Sequence, residues 1–296
     1  CGEVPTCPRC SVHLTYPSAN GRLMCHYCGH SQPLPELCPH CYGRLQFVGM
    51  GTQKLQEALE ESYPGVEIMR MDVDTITATQ SHEVLLDRFR WKQVPILLGT
   101  QMVAKGLDFA NVTLVGVVDG DLSLYADNYR AAERTFSLLT QVVGRAGRGE
   151  KLGRAVIQTW TPDNDVINLA ARQDYDTFYE EEREMRRMLR FPPFLDLFRI
   201  TLSGPEETQV LRACAVIRRS LEPWVKPRQQ GPEGPEVLGP APAPVLKVNN
   251  RYRYRVLLKC RNGREIRAVL AQILQAAQQD RANRGLSIAM DVNPMD

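Results

Sequence analysis

Three Cys-x-x-Cys pairs within the first 41 residues constrain this chain more than anything else in it. They are Cys7-Pro8-Arg9-Cys10, Cys25-His26-Tyr27-Cys28 and Cys38-Pro39-His40-Cys41, with 14 residues between the first two pairs and nine between the last two. A pair at this spacing turns tightly enough to bring two thiolates to about 2.3 Å from one tetrahedral zinc. With Cys1 the cluster holds seven of the chain's nine cysteines, unlike the even spread of a disulfide-stapled secreted domain. The competing reading is a redox motif or structural disulfides. Redox CxxC motifs, however, come singly on a βαβ scaffold, and the neighbours here are rich in Cys, Pro, Gly and His with little apolar periodicity. Such a segment is held by metal rather than by a core. All-thiolate sites leave no position for water, so the expected role of the zinc is structural. Seven thiolates are one short of two four-cysteine sites. An eighth would lie about three residues before Cys1 if Cys1 belongs to a fourth pair; a ring nitrogen of His26, His30 or His40 is the alternative. Because Cys1 opens a series already under way, residues upstream of it are expected.

The remaining length suits two or three modest domains in a chain of 296 residues. Apolar residues at 43% and charged residues at 24% exclude a disordered or fibrous chain. A net charge of +2 permits nucleic-acid binding without demanding it. No apolar run of membrane-spanning length and no signal-peptide pattern occur, so a cytoplasmic protein without membrane contact is expected.

From Gly51 the pattern becomes periodic. Helices are expected over Thr52 to Glu61, with Leu55, Ala58 and Leu59 inward, over Ser81 to Arg90 and over Ala131 to Val143, with a long helical stretch over Val166 to Leu189. Between them Val66 to Met71, Ile96 to Leu98, Val112 to Val118 and Ala155 to Thr159 read as strands, the middle two as apolar runs covered on both faces of a parallel sheet. This alternation marks an α/β domain with crossover connections. Phe191-Pro192-Pro193-Phe194 breaks it. Beyond lie a strand (Leu197 to Leu202), a helix (Thr208 to Leu221), a Pro- and Gly-rich link, strands (Val237 to Leu238, Val245 to Lys259), a helix (Glu265 to Gln278) and a strand (Leu286 to Val292), an order that fits a ferredoxin-like α+β module.

Two motifs in the α/β part carry chemistry. Gly99-Thr100-Gln101-Met102-Val103-Ala104-Lys105-Gly106-Leu107-Asp108-Phe109 follows a strand, where backbone N–H groups and short side chains can approach phosphates. Gln141-Val142-Val143-Gly144-Arg145-Ala146-Gly147-Arg148 ends a helix with two arginines three residues apart. The planar five-donor fork of arginine suits the spread charge of a phosphoryl transition state, although arginines also end helices as ordinary solvated charges.

GTQMVAKGLDF and QVVGRAGR resemble motifs V and VI of superfamily 2 helicases. The CPRC, CHYCG, CPHC series leading into GMGTQKLQEAL is similar to the PriA family of replication-restart helicases, and the likeness runs essentially end to end. It implies a RecA-like second helicase lobe (49–190) with an inserted zinc-binding subdomain (1–48) and a C-terminal fork-binding domain (191–296). It also implies a 3′ to 5′ DNA helicase using ATP with Mg²⁺. The implied partners are forked and single-stranded DNA, single-strand-binding protein and other primosome proteins, and a monomer is expected. Two zincs are implied, Cys7, Cys10, Cys25 and Cys28 holding one and Cys38 and Cys41 sharing the other with Cys1 and an upstream cysteine. Gly106 and Asp108 would lie at the ATP and DNA interface. Gln141, Gly144, Arg145 and Arg148 would face the nucleotide, with Arg148 as arginine finger. The chain departs from the family in lacking a GxxxxGKS/T loop and a DExH box, so it is not expected to hydrolyse ATP alone. A non-enzymatic zinc module that binds DNA or scaffolds partners, and another superfamily 2 remodeller of branched DNA, are the alternatives.

In the last domain Arg251, Arg253 and Arg255 alternate with Tyr252 and Tyr254 on a strand, which sets arginines on one face and tyrosines on the other. Arginines gripping phosphate and a tyrosine stacking on a base is one reading; tyrosines in the core with solvated arginines is the other. Trp224, in the Pro-rich link, serves a partner or plugs its own domain. Cys214 and Cys260 read as small buried residues.

Overall fold

The computed structural model describes residues 1–16, 21–45, 51–71, 82–92, 94–100, 111–147, 152–228 and 234–295. The chain divides into two compact units, Cys1–Leu45 with Arg183–Asp296, and Gln46–Glu182.

The elements, in chain order, are β1 (Arg22–Met24), β2 (Ser31–Pro33), α1 (Thr52–Ser62), β3 (Ile68–Met71), α2 (His82–Lys92), β4 (Ile96–Gly99) and β5 (Leu114–Val117). They continue with α3 (Ala131–Val143), β6 (Arg154–Ile157), α4 (Asp165–Arg172), α5 (Tyr175–Leu189), β7 (Asp196–Gly204) and α6 (Glu207–Val225). The last are β8 (Glu236–Val248), β9 (Arg251–Cys260), α7 (Arg264–Gln279) and β10 (Ser287–Val292).

In the Gln46–Glu182 unit the strands pair in parallel, β3 with β4 and β5 with β6, and each pair is joined through a helix-bearing crossover. The core lies on one side of β5 and β6, where Phe136 and Leu139 of α3 meet Ile167, Leu169 and Ala170 of α4. Phe178 stacks on Phe136 with centroids 4.0 Å apart. Three sequence expectations change here. The strand β5 alternates exposed and half-buried residues, with Leu114 exposed, instead of being covered on both faces. The long stretch over Val166 to Leu189 is two helices, because Gln173 adopts a left-handed φ of 57° and closes α4 by donating its N–H to the Ala170 carbonyl. In α1, Leu55 and Leu59 are half-buried while Ala58 is exposed.

The Arg183–Asp296 part is a four-stranded antiparallel sheet in the order β10-β7-β9-β8 with α6 and α7 on one face. The strand-helix-strand-strand-helix-strand sequence and this interleaved order are those of a split βαβ module. Alternation of apolar residues explains the layer: Phe198, Ile200 and Leu202 of β7 and Val256 and Leu258 of β9 meet Val210, Ile217 and Leu221 of α6 and Ile266 and Leu270 of α7, all essentially inaccessible to water. Lys259 is the buried cation of this layer's edge. Its Nζ donates to the Leu189 carbonyl at 2.9 Å above the Phe191 ring, and burial pulls its pKa down.

The Pro-rich link is the main departure from the sequence reading. The helix α6 runs through Pro223 to Val225, and the prolines at 240, 242 and 244 lie within β8, which closes one end of the sheet order. An edge strand tolerates prolines because its outward side needs no donors. The strand expected from Val245 to Lys259 is cut by a hairpin at Asn249 and Asn250, which have φ of 48° and 60°. Trp224 sits on the last turn of α6 against its own domain's core, its indole N–H donating to Glu265 at 3.1 Å. Cys214 and Cys260 are buried, and burial pushes both thiols up to about 12.

Candidate metal centre and nucleotide-facing helix

Each CxxC pair occupies a small turn closed by antiparallel pairing. Thr6 pairs with His13 around Cys7 and Cys10, Met24 with Ser31 around Cys25 and Cys28, and Leu37 with Arg44 around Cys38 and Cys41. The turns place the thiols in two groups, Cys7, Cys10, Cys25 and Cys28 in one and Cys1, Cys38 and Cys41 in the other, the sulfurs of each lying within 4.8 Å of one another. The Sγ atoms of Cys7 and Cys28 are 3.7 Å apart and those of Cys1 and Cys38 are 3.6 Å apart. A disulfide would need about 2.05 Å, whereas four sulfurs about 2.3 Å from a tetrahedral ion stand about 3.8 Å from each other. The thiols therefore fit zinc and not oxidation. Among the described residues the imidazoles of His26, His30 and His40 do not enter either group. His26 meets the Thr15 hydroxyl at 2.7 Å, His30 meets Gln32 at 3.4 Å, and His40 pairs with Glu3 at 3.7 Å.

Electrostatics support the same reading. Burial acts to raise the pKa of Cys25, but the backbone N–H groups of Cys28 and Tyr27, together with the thiols of Cys7 and Cys28, hold it down to about 7. Cys38 is likewise lowered, first by the N–H groups of Cys41 and His40. Burial drives Cys10 up to about 12 and also raises Cys7. A divalent cation bound among these thiols would favour their thiolate forms. When bound, zinc would be a closed structural ion.

In the α/β unit, α3 delivers the second motif. Gln141 is exposed near its end, and Gly144 and Arg145 follow half-buried. A Cβ on Gly144 would come within 3.1 Å of Gln173 Nε2 and 3.2 Å of the Thr140 carbonyl, so a larger residue would fit only tightly here. Gly147 has a φ of +75° and its N–H donates to the Val112 carbonyl at 3.0 Å; a Cβ there would strike the Gly153 backbone. Gly147 thereby ties the segment after α3 to Val112, just ahead of β5. Gly106, Asp108 and Arg148 lie outside the described residues.

Sequence reading missed Asp121. It is buried between the loops that follow β5 and β6, and accepts hydrogen bonds from Thr159 Oγ1 at 2.8 Å, from Thr161 Oγ1 and from the Trp160 N–H at 2.8 Å. Chiefly through Thr161, these bonds hold its carboxyl below the usual range. Trp160 itself is 81% exposed. An Asp in a loop and two threonines 38 and 40 residues later carry no local signal.

The two faces of β9 also resolve. Tyr254 packs on the core and donates its hydroxyl to Glu207 at 2.5 Å, which leaves it no part in base stacking. The ring of Tyr252 lies 5.2 Å from Lys247 Nζ. On the opposite face Arg251 donates to the carbonyls of Ser203 and Gly285, at 2.8 and 2.9 Å.

Comparison with known proteins agrees in order along the chain. Residues 7–33 match the PriA DNA helicase Cys-rich region, residues 42–150 the helicase conserved C-terminal domain, and residues 187–295 the primosomal protein N C-terminal domain. The replication restart protein PriA of Bacillus subtilis is 41% identical over 295 residues, covering 99% of this chain and 36% of the relative. That of Synechocystis is 42% identical over 88% of this chain and 31% of the relative, and that of Chlamydia pneumoniae 34% identical over 100% and 39%. The chain thus spans between 31% and 39% of the length of these relatives. Zinc-fitting thiols, a motif-bearing helix and the C-terminal module in this order place the chain in the PriA replication-restart protein family, in likeness to the carboxy-terminal part of its members.

Proposed function

We propose that this chain serves an ATP-driven 3′ to 5′ DNA helicase that recognises and remodels stalled replication forks for primosome assembly. In this reading 49–190 is the second motor lobe, 1–48 a zinc-binding subdomain inserted in it, and 191–296 the fork-binding domain. ATP with Mg²⁺ sits against Gly106, Asp108, Gln141, Gly144, Arg145 and Arg148, and a first lobe absent from this chain supplies the phosphate loop. Two zincs are held, the second completed by a ligand beyond Cys1. Forked and single-stranded DNA, single-strand-binding protein and primosome proteins are the partners, in the cytoplasm.

The observation that carries the reading is the end of α3, where Gln141, Gly144 and Arg145 share one helix terminus and Gly147 just beyond it donates to Val112, ahead of β5. A pure binding module has no use for paired phosphate-facing arginines such as Arg145 and Arg148. The test joins an upstream lobe from a relative to this chain and compares fork-stimulated ATP hydrolysis with that of Arg148→Ala. A loss of about 10³-fold or more with DNA binding intact is expected for an arginine finger. Equal hydrolysis in the two proteins removes Arg148 from the mechanism.

A further inference from the structure

Asn249 and Asn250 make up the whole connection between β8 and β9, since Val248 pairs directly with Arg251. Both have positive φ, which defines the two-residue mirror-image turn of a tight hairpin. In such a turn the ladder uses the flanking residues and leaves both central N–H groups without partners in the hairpin. Both residues are exposed, yet each N–H finds its acceptor in the protein rather than in water. The first CxxC provides both. The N–H of Asn250 donates to the Arg9 carbonyl at 2.8 Å, and that of Asn249 donates to Sγ of Cys10 at 3.2 Å. The contact is reciprocal, because the Ser11 N–H donates to the Lys247 carbonyl at 2.8 Å, and Val248 packs on the Cys7, Cys10 and Cys25 cluster.

We propose that the Asn249-Asn250 turn is an outer-shell element of the first zinc site, so that metal occupancy and the docking of the arginine-bearing strand β9 are coupled. The inference rests on reading the four thiols as a zinc site. A zinc-bound thiolate is a stronger acceptor than a thiol, so the Asn249 bond strengthens when metal binds. Outer-shell partners of this kind change metal affinity by about 10- to 100-fold. Coupling is reciprocal, and the metal must hold the turn by the same factor with which the turn holds the metal. Arg251 follows the turn immediately and is already tied to Ser203 and Gly285. Zinc in the Cys-rich segment thereby sets where the basic face of the C-terminal sheet begins, although it touches none of those arginines.

The experiment measures zinc content and then zinc transfer to a chromogenic chelator from the full chain, from Asn249→Gly/Asn250→Gly, and from a chain with two glycines inserted between these asparagines. The double glycine variant keeps the left-handed turn and both N–H groups, and it should release zinc as the unmodified chain does. The lengthened turn should release one zinc about 10- to 100-fold faster. Hydrogen exchange on the unmodified chain gives an independent readout, should the insertion prevent folding: stripping zinc should expose the N–H groups of 249 and 250 while those of β7 stay protected. Normal zinc content with equal release rates, or unchanged exchange at 249 and 250 after stripping, overturns the coupling alone. A chain that carries no zinc overturns the metal site and the coupling with it.

Discussion

The hydroxyl of Tyr254 on β9 points at the carboxylate of Glu207, the first residue of α6, across 2.5 Å. This bond, with a smaller contribution from burial, pushes the phenol up to about 12. A group whose pKa is raised by folding stabilises the fold below its unfolded value, and the contribution disappears as pH rises through the folded value. The C-terminal module should therefore lose stability between about pH 10, the free phenol value, and about pH 12. Tyr254→Phe should lose about 1 kcal/mol at neutral pH and abolish this alkaline dependence. Denaturant midpoints at pH 7, 10 and 11.5 check both; an unchanged alkaline slope in the variant would remove Tyr254 as its origin.

Cys25→Ser should lower bound zinc by one ion per chain and loosen the first 45 residues, while the antiparallel sheet stays folded. Metal analysis together with exchange protection over β1, β2 and β7 distinguishes a local from a global effect. Because ligand thiols must lose their protons to bind metal, acidification should also release zinc from the unmodified chain. Full metal content in Cys25→Ser would exclude Cys25 as a ligand.

Asp121 ties the loop after β5 to the loop after β6 through Thr159, Trp160 and Thr161. Asp121→Ala should lower the melting temperature of the α/β unit and open the chain to proteolysis around Trp160. Its carboxyl pKa is depressed by folding, so its contribution is present above the unfolded value and fades as pH falls below it through the folded value. The melting temperatures of the two proteins should converge in acid. Equal melting at neutral pH would show that the clasp holds nothing.

If the basic face of β9 meets a DNA backbone, Arg253→Ala should weaken binding about equally for every sequence and reduce the salt slope of log K by about one. Titrations at several salt concentrations decide it. Loss confined to one sequence would point to base contact instead.

The Cys-x-x-Cys turns were legible because their information is local, whereas which pairs would share a metal came only with the family likeness. Two thiols per turn need only a four-residue spacing, and each pair lies in a turn closed by antiparallel pairing. Helix α3 was legible to the residue, since its apolar face repeats at helical spacing and glycine ends it. Gln173 was not, because a left-handed cap on a residue other than glycine or asparagine leaves no mark in the sequence. Asn249 and Asn250 did carry a turn signal, but it was masked by apolar residues alternating on both sides. What closed the turn lay more than 200 residues away in the first CxxC. Asp121 likewise depends on partners that only the parallel pairing of β5 and β6 brings near.

Pro240, Pro242 and Pro244 fall at alternate positions along the edge strand β8. Each lacks an N–H, and the pairing of β8 with β9 is interrupted on both sides of Ala241 and Pro242, so this border of the sheet is no regular ladder for an approaching chain. A second extended segment cannot add to it by continuous backbone pairing, and the module is guarded against edge-to-edge aggregation by the residues that made this stretch look like a mere connector.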